Sequence, residues 1–505
     1  MKSPPKKRQR CLYRSAKLID FSSSLLSEEL LLHIFSYLSA ADLIRCQLVN
    51  SYWSRLANDA MLWKPLFYCR FTDFPQEKII KRKNINWKLK YKINHNWQSG
   101  NCQISSFKVF DRATLATSER SRQRQRVQFD ENMLCIADTN HSFVKVWRFT
   151  DGDRVPKFCG DLLLETTSRI SCIRLESKGS PTGQTCLVVG LENGGFSIWK
   201  LDVTSPSLKA EEVVEYRPLS SKSHRTDQSV EAIALSYPMI VICTKNMKLL
   251  AFLIEETPIP TLHFVHQLQS PIRWRPIIIQ LCPYPSIVTR NGTRDRVWKA
   301  TIAFGMAVGV SSYSIGAQEI IFSQQAILLS RHCSALNQDR VFFAVPEQGR
   351  QVSDFLQPMT DLAYSEPFLT TAHANNTIKQ YRLVSTPERL DIVYVRTLYG
   401  HTCKVAALAL NAAAGKLVSG DRSGLKIWNL SSLDRPKNGT HDTPMASRRR
   451  YSGSDYLVGL AHYPDQRRMK ELPPLDINWL HFDQEKIVAL IQEEHQVSLK
   501  TWSFL

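Results

Sequence analysis

A histidine, an aspartate and a tryptophan frame one short hairpin of this chain: His401, Asp421 and Trp428. Imidazole beside carboxylate moves protons in acyl transfer, provided a nucleophile stands next to it. No candidate nucleophile sits in a strained, glycine-flanked turn. No paired carboxylates form a recognisable motif, and there is no phosphate loop. The twelve cysteines are scattered, with no C-x-x-C pair and no Cys/His cluster at zinc spacing. Most are expected to be small buried apolar residues in a reducing compartment. No catalytic residue, metal site or cofactor is therefore expected. The chemistry that remains is non-covalent. Arg422 and Lys245 lie in hairpin turns, where they either sit solvated or pair with an acidic group.

The elements that must position these residues are many. At 505 residues the chain is too long for one ordinary domain. With 43% apolar and 22% charged residues, most of it should be globular. No run of 18 apolar residues appears, so no membrane span is expected, and a secretory signal is not expected either. The net charge of +19 speaks to partners rather than fold. It gathers in Lys6 to Arg10, Lys78 to Lys92, Arg120 to Arg126 and Arg448 to Arg450. Solvated loops are one reading of these clusters. The first, in PPKKRQR, also suits a nuclear import signal.

Between Leu25 and Leu38, apolar residues fall at Leu26, Leu30, Leu31, Ile34, Phe35 and Leu38. Steps of three and four put them on one helix face. Ser27 with Glu28 and Glu29 supplies a cap and an acidic first turn. A second helix is expected from Asp42, with Leu43, Cys46, Leu48 and Val49 inward, and a third near Tyr52 to Leu56. Leu62-Trp63 would close the unit. So small a unit cannot bury all its apolar surface alone.

These residues, in order, resemble the F-box pattern. The matches are Leu26-Ser27-Glu28-Glu29, Ile34-Phe35-Ser36-Tyr37-Leu38, Asp42-Leu43, Val49-Asn50-Ser51-Tyr52-Trp53 and Leu62-Trp63. Ser27 stands where the family has proline, and Asn50 where it has cysteine. The resemblance implies docking on a Skp-type adaptor through Leu26, Leu30, Ile34, Leu38, Leu43, Val49 and Trp53, and through the adaptor to a cullin–RING ligase. An ordinary core-facing stripe is the alternative. Next, Trp87-Lys88, Tyr91-Lys92 and Asn96-Trp97-Gln98-Ser99-Gly100 resemble the joint that leads into the propeller of F-box/WD-repeat proteins. Basic residues among aromatics are also compatible with nucleic acid. A helix packing its aromatic stripe on a neighbour is the favoured reading, and a nucleic-acid partner is not expected.

From residue 102, paired strands replace helical periodicity. Seven hairpins end near Trp147, Trp199, Phe252, Tyr313, Tyr381, Trp428 and Trp502, with Asn, Asp and Gly in their turns. The unit from Gly400-His401 to Ile427-Trp428-Asn429 resembles a WD-repeat. The resemblance implies that His401, Asp421 and Trp428 bond together and brace the blade. The aromatic markers lie roughly 50–75 residues apart, against about 40–45 for that family, so insertions must fill the excess. Residues 102–110 are expected to complete the last blade and close the ring. Residues 203–228 and 431–475 read as polar loops, with phosphorylatable serines in RRRYSGS. Residues 259–300 give no clear strands.

The expected architecture is α + β and multidomain. It comprises a basic tail (1–20), a three-helix F-box (21–68), a helical linker (69–100) and a seven-bladed WD-repeat-like β-propeller (101–505). The function implied is a non-catalytic substrate-recognition subunit of an SCF ubiquitin ligase. Its propeller would hold an acidic or phosphorylated protein substrate near Lys245 and Arg422, in the nucleus or cytoplasm. The alternative is an F-box propeller scaffold, nuclear or chromatin-associated, that transfers no ubiquitin.

Overall fold

The computed structural model describes residues 26–71, 85–111, 126–130, 132–138, 142–150, 156–176, 185–202, 208–218, 228–255, 260–270, 277–288, 294–308, 312–335, 359–430, 456–461, 476–492 and 496–505. The clusters at 6–10, 78–83, 120–125 and 448–450, with Ser452 and Ser454, lie outside them. The chain divides into two compact units, Met1–His95 and Asn96–Leu505.

The first unit holds α1 (Glu28–Phe35), α2 (Ala40–Cys46), α3 (Ser51–Ala57) and α4 (Ala60–Arg70), and it takes in most of α5 (Trp87–Ser99). Each of the first four begins on a side-chain cap. Ser27 accepts from the Leu30 amide, Ser39 from Asp42, Asn50 from Trp53 and Asp59 from Met61. Capping satisfies amides that the helix itself leaves unpaired. Thus both departures from the F-box pattern, Ser27 and Asn50, start helices. The expected three helices are four in this stretch. Asp59 caps a new one, and Leu62-Trp63 lie inside α4 rather than ending the unit. Leu31, Phe35, Leu43, Leu56, Leu62, Trp63 and Phe67 form the core. The indole of Trp63 donates to Ala57 O at 2.7 Å. Tyr91 and Trp87 pack on this core, and Lys88 is tied to Gln47 and Asn58.

The second unit is a seven-bladed propeller of four-stranded antiparallel sheets. In chain order its first strands are β2 (Val127–Asp130), β6 (Ile170–Glu176), β10 (Val230–Ser236), β14 (Ile277–Val288), β18 (Met359–Ser365), β22 (Ala407–Asn411) and β26 (Asp476–Phe482). Each contacts the next, and β26 contacts β2, so they form the inner ring. The second strands are almost wholly buried, as in β7 (Thr185–Leu191), β11 (Met239–Thr244), β19 (Phe368–His373), β23 (Lys416–Asp421) and β27 (Lys486–Gln492). Closure occurs as expected. β1 (Gln103–Asp111) pairs antiparallel with β28 (Gln496–Ser503), from Gln103 opposite Ser503 to Asp111 opposite Gln496. Trp97 donates to Gln484 O at 2.8 Å and stacks on Phe504 with ring centroids 4.0 Å apart.

Three expectations about the strands need correction. In blade four, Tyr313 does not end a hairpin. It sits near the start of β16 (Ser312–Ser323), which pairs with the fifteen-residue β15 (Arg294–Val308), and Phe322 opposite Trp298 takes the marker's place. Residues 259–300 contain β13 (Thr261–Gln269) and β14. The segments read as polar loops contain the outermost strands β9 (Lys209–Tyr216) and β25 (Tyr456–Ala461). An outermost strand buries little, so β9 (KAEEVVEY) lacks the apolar run that marks an inner one.

Side chains stitch neighbouring blades. Asp361 accepts the Leu408 amide at 2.6 Å, and Glu176 accepts that of Tyr237 at 3.2 Å. Glu319, 1% exposed, takes Arg331 Nη2 at 2.7 Å and the Ser385 hydroxyl at 2.7 Å. It thereby joins β16 and β17 (Ile327–Ser334) to the end of β20 (Ile378–Ser385) in the next blade.

Candidate functional site

On the helical unit the apolar stripe of α1 splits in two. Leu31 and Phe35 are buried, whereas Leu30 is 53% and Ile34 49% exposed. Val49 is also exposed, while Leu26, Leu38 and Trp53 are half-buried against the core. Leu43 is completely buried and offers a partner nothing. Its position in α2 turns it toward the centre of the unit. Leu48 and Val49, expected inward, are exposed because the helix ends at Cys46 and no longer sets their direction. Tyr37, Ile44 and Met61 add exposed apolar surface that helical period did not single out. These exposed apolar side chains are many for so small a unit.

In the propeller, His401 and Asp421 meet. Nδ1 of His401 lies 2.8 Å from Asp421 Oδ2, and Nε2 lies 2.6 Å from the Ser419 hydroxyl. Trp428 donates its indole N–H to the same hydroxyl at 2.7 Å. Asp421 Oδ1 accepts from the Ser423 amide and hydroxyl and from the Gly424 amide. Burial pushes the Asp421 carboxyl up, but the His401 and Ser423 bonds outweigh it and hold it well below the usual range. Serine, histidine and aspartate in this order match a hydrolase relay. Here Ser419 has no exposed surface, and its oxygen is already held by Trp428. No carbonyl can approach it, so the group braces the turn. Ser419 is the member that the sequence pattern did not single out.

Arg422 and Lys245 lie in turns joining second to third strands, so both occupy the same face of the propeller. They are not equivalent. Arg422 reaches across the blade boundary to Asp476 at 2.8 Å. Lys245 is half-buried, and its amide is fixed to Ser229 O at 2.8 Å. Arg169 and Lys404, both exposed, precede the innermost strands β6 and β22 and therefore lie on that face too. Only the fold places these loops on that face, which is why residue type alone did not single out Arg169 and Lys404.

Two family models match this chain. Residues 28–69 match an F-box-like domain, and residues 112–504 match the F-box protein pof12 beta-propeller. The F-box protein pof12 of Schizosaccharomyces pombe (strain 972) is 21% identical over 431 residues, covering 81% of this chain and 84% of the relative. With a capped helical unit followed in the chain by a closed seven-bladed ring, the chain belongs to the F-box protein pof12 beta-propeller family.

Proposed function

We propose that this chain is the substrate-recognition subunit of an SCF-type ubiquitin ligase. The observation that carries this is the exposure of Leu30, Ile34, Leu48 and Val49 on an otherwise well-packed helical unit, in one chain with a closed propeller. Those side chains would dock a Skp-type adaptor and, through it, a cullin–RING ligase. The propeller would hold the substrate, and the chain would contribute effective concentration and orientation rather than chemistry. We read the blade closed by Ile427-Trp428-Asn429 as a WD-type unit and place the protein in the nucleus or cytoplasm.

The test is affinity purification of the intact chain beside a Leu30→Asp, Ile34→Asp double variant. Both side chains are half-exposed, so the variant should fold. Adaptor and cullin should accompany the intact chain and be lost from the variant. Adaptor without cullin would indicate a scaffold, and absence of the adaptor from both would overturn the reading.

A further inference from the structure

In each blade the aromatic marker of the third strand stands opposite one residue of the outermost strand. In blades one, three and five that residue is a second ring set edge-on to the first. Phe158 lies on Trp147, Phe264 on Phe252 and Tyr394 on Tyr381, with ring centroids 5.6, 5.7 and 5.8 Å apart. Blades four, six and seven place Ile327, Tyr456 and Ile104 at the same register position.

Blade two departs from this pattern. Its marker is Trp199, in β8 (Phe196–Asp202), and the residue opposite is Glu212 of β9. The other six markers are buried, whereas Trp199 is only half-buried. Among the described residues no second ring and no cation packs on its indole. The indole N–H donates to the Ser197 hydroxyl at 2.8 Å, and Ser197 stands opposite Glu215. Ser197, Trp199, Glu212 and Glu215 therefore share one side of the sheet. Arg217 already holds Glu215 with two bonds, at 2.8 and 2.7 Å. Glu212 is exposed and makes no ion pair among the described residues. Partial burial and then the charges of Glu215 and Glu165 push its carboxyl up, more than Arg217 pulls it down.

The seat that a flat ring fills in three other blades is thus open in blade two and has a carboxylate at its edge. A flat cation meets both demands. A guanidinium stacks on an indole face and also pairs two-pronged with a carboxylate, whereas an ammonium lacks the plane and a neutral ring lacks the charge.

We propose that Trp199 and Glu212 form a docking point for an arginine side chain of a partner protein. The guanidinium takes the place of the missing ring on Trp199 and pairs with Glu212. The site does not depend on the ligase reading, and its test leaves the helical unit untouched, so the two fail separately.

A display library of random linear peptides is panned in parallel against the full-length chain and its Glu212→Phe variant, which supplies the ring that blade two lacks. Peptides enriched on the parent alone should carry arginine. The best of them should lose about tenfold or more in affinity on Trp199→Ala, on Glu212→Gln and on replacement of its arginine by citrulline. Replacement by lysine should weaken it by a smaller factor. The melting temperature of Glu212→Phe should equal or exceed that of the parent, and the near-isosteric Glu212→Gln keeps the test valid if the larger residue does not fit. The proposal is overturned if no peptide distinguishes the parent from Glu212→Phe, or if those that do lack arginine. It is equally overturned if binding survives Trp199→Ala or if lysine serves as well as arginine.

Discussion

Ser419 and Trp428 meet across the hairpin of β23 and β24 (Gly424–Asn429), where the indole N–H donates to the hydroxyl at 2.7 Å. That contact links two strands of blade six, and through Ser419 it reaches His401 in the preceding loop. A buried network of this kind is worth having only when every member is satisfied.

His401→Ala should therefore cost on the order of 2–4 kcal/mol, because it strands a buried carboxylate at Asp421. Asp421→Asn should cost less, since the amide oxygen can still accept from Ser423 and Gly424. Denaturant unfolding of both variants checks the order. The pH dependence has a definite sign. The Asp421 carboxyl is held below its unfolded value, so its contribution is full above about pH 4. It is lost as the pH falls further.

Glu319 offers a second target. It is buried and takes Arg331 and Ser385 together. Glu319→Ala should destabilise the propeller by about 3 kcal/mol, because Arg331 loses its charge partner at a blade boundary. Arg331→Ala combined with Glu319→Ala should recover part of that loss, the sign expected when the penalty comes from an uncompensated charge. A loss from the double variant as large as the sum of the singles would reject this account.

Glu176 gives a response nearer neutrality. Burial pushes its carboxyl up to about 7, against smaller opposing pulls from the Tyr237 amide and Arg174. The folded state favours the protonated form, so the associated stability is present below about pH 4.5 and lost as the pH rises through about 7. Glu176→Gln keeps an acceptor for Tyr237 and cannot ionise. Its melting temperature should exceed that of the parent at pH 8, with the gap closing by pH 5. A constant gap across that range would show that Glu176 does not titrate there.

Much of this architecture could be read in the sequence because its inner strands repeat one physical problem. Strands buried on both faces become apolar runs such as CLVVGL and KIVALI, and turn residues punctuate them. The closing role of residues 102–110 followed from a last blade short of one strand. Outermost strands escaped detection because a half-solvated edge such as Lys209–Tyr216 tolerates glutamate at almost any exposed position. Tyr313 misled because blade four has longer strands than its neighbours, and an aromatic residue near its turn looked like the end of a shorter hairpin. On the helical unit, periodicity found the stripe but could not divide it. Whether Leu30 or Leu31 faces the core depends on where α2 and α3 pack. At the propeller face, Arg422 looked available until Asp476, 54 positions away, came to lie beside it.

The pairing of β1 with β28 also sets a timetable. Ser105 and Thr501 share a hydrogen bond although they stand 396 positions apart. At about 5–20 residues per second of synthesis, the first strand waits roughly 20–80 s for its partner to be made. Throughout that interval Gln103–Asp111 is an unpaired edge. It must stay clear of other nascent chains until the ribosome delivers the strand that fits it.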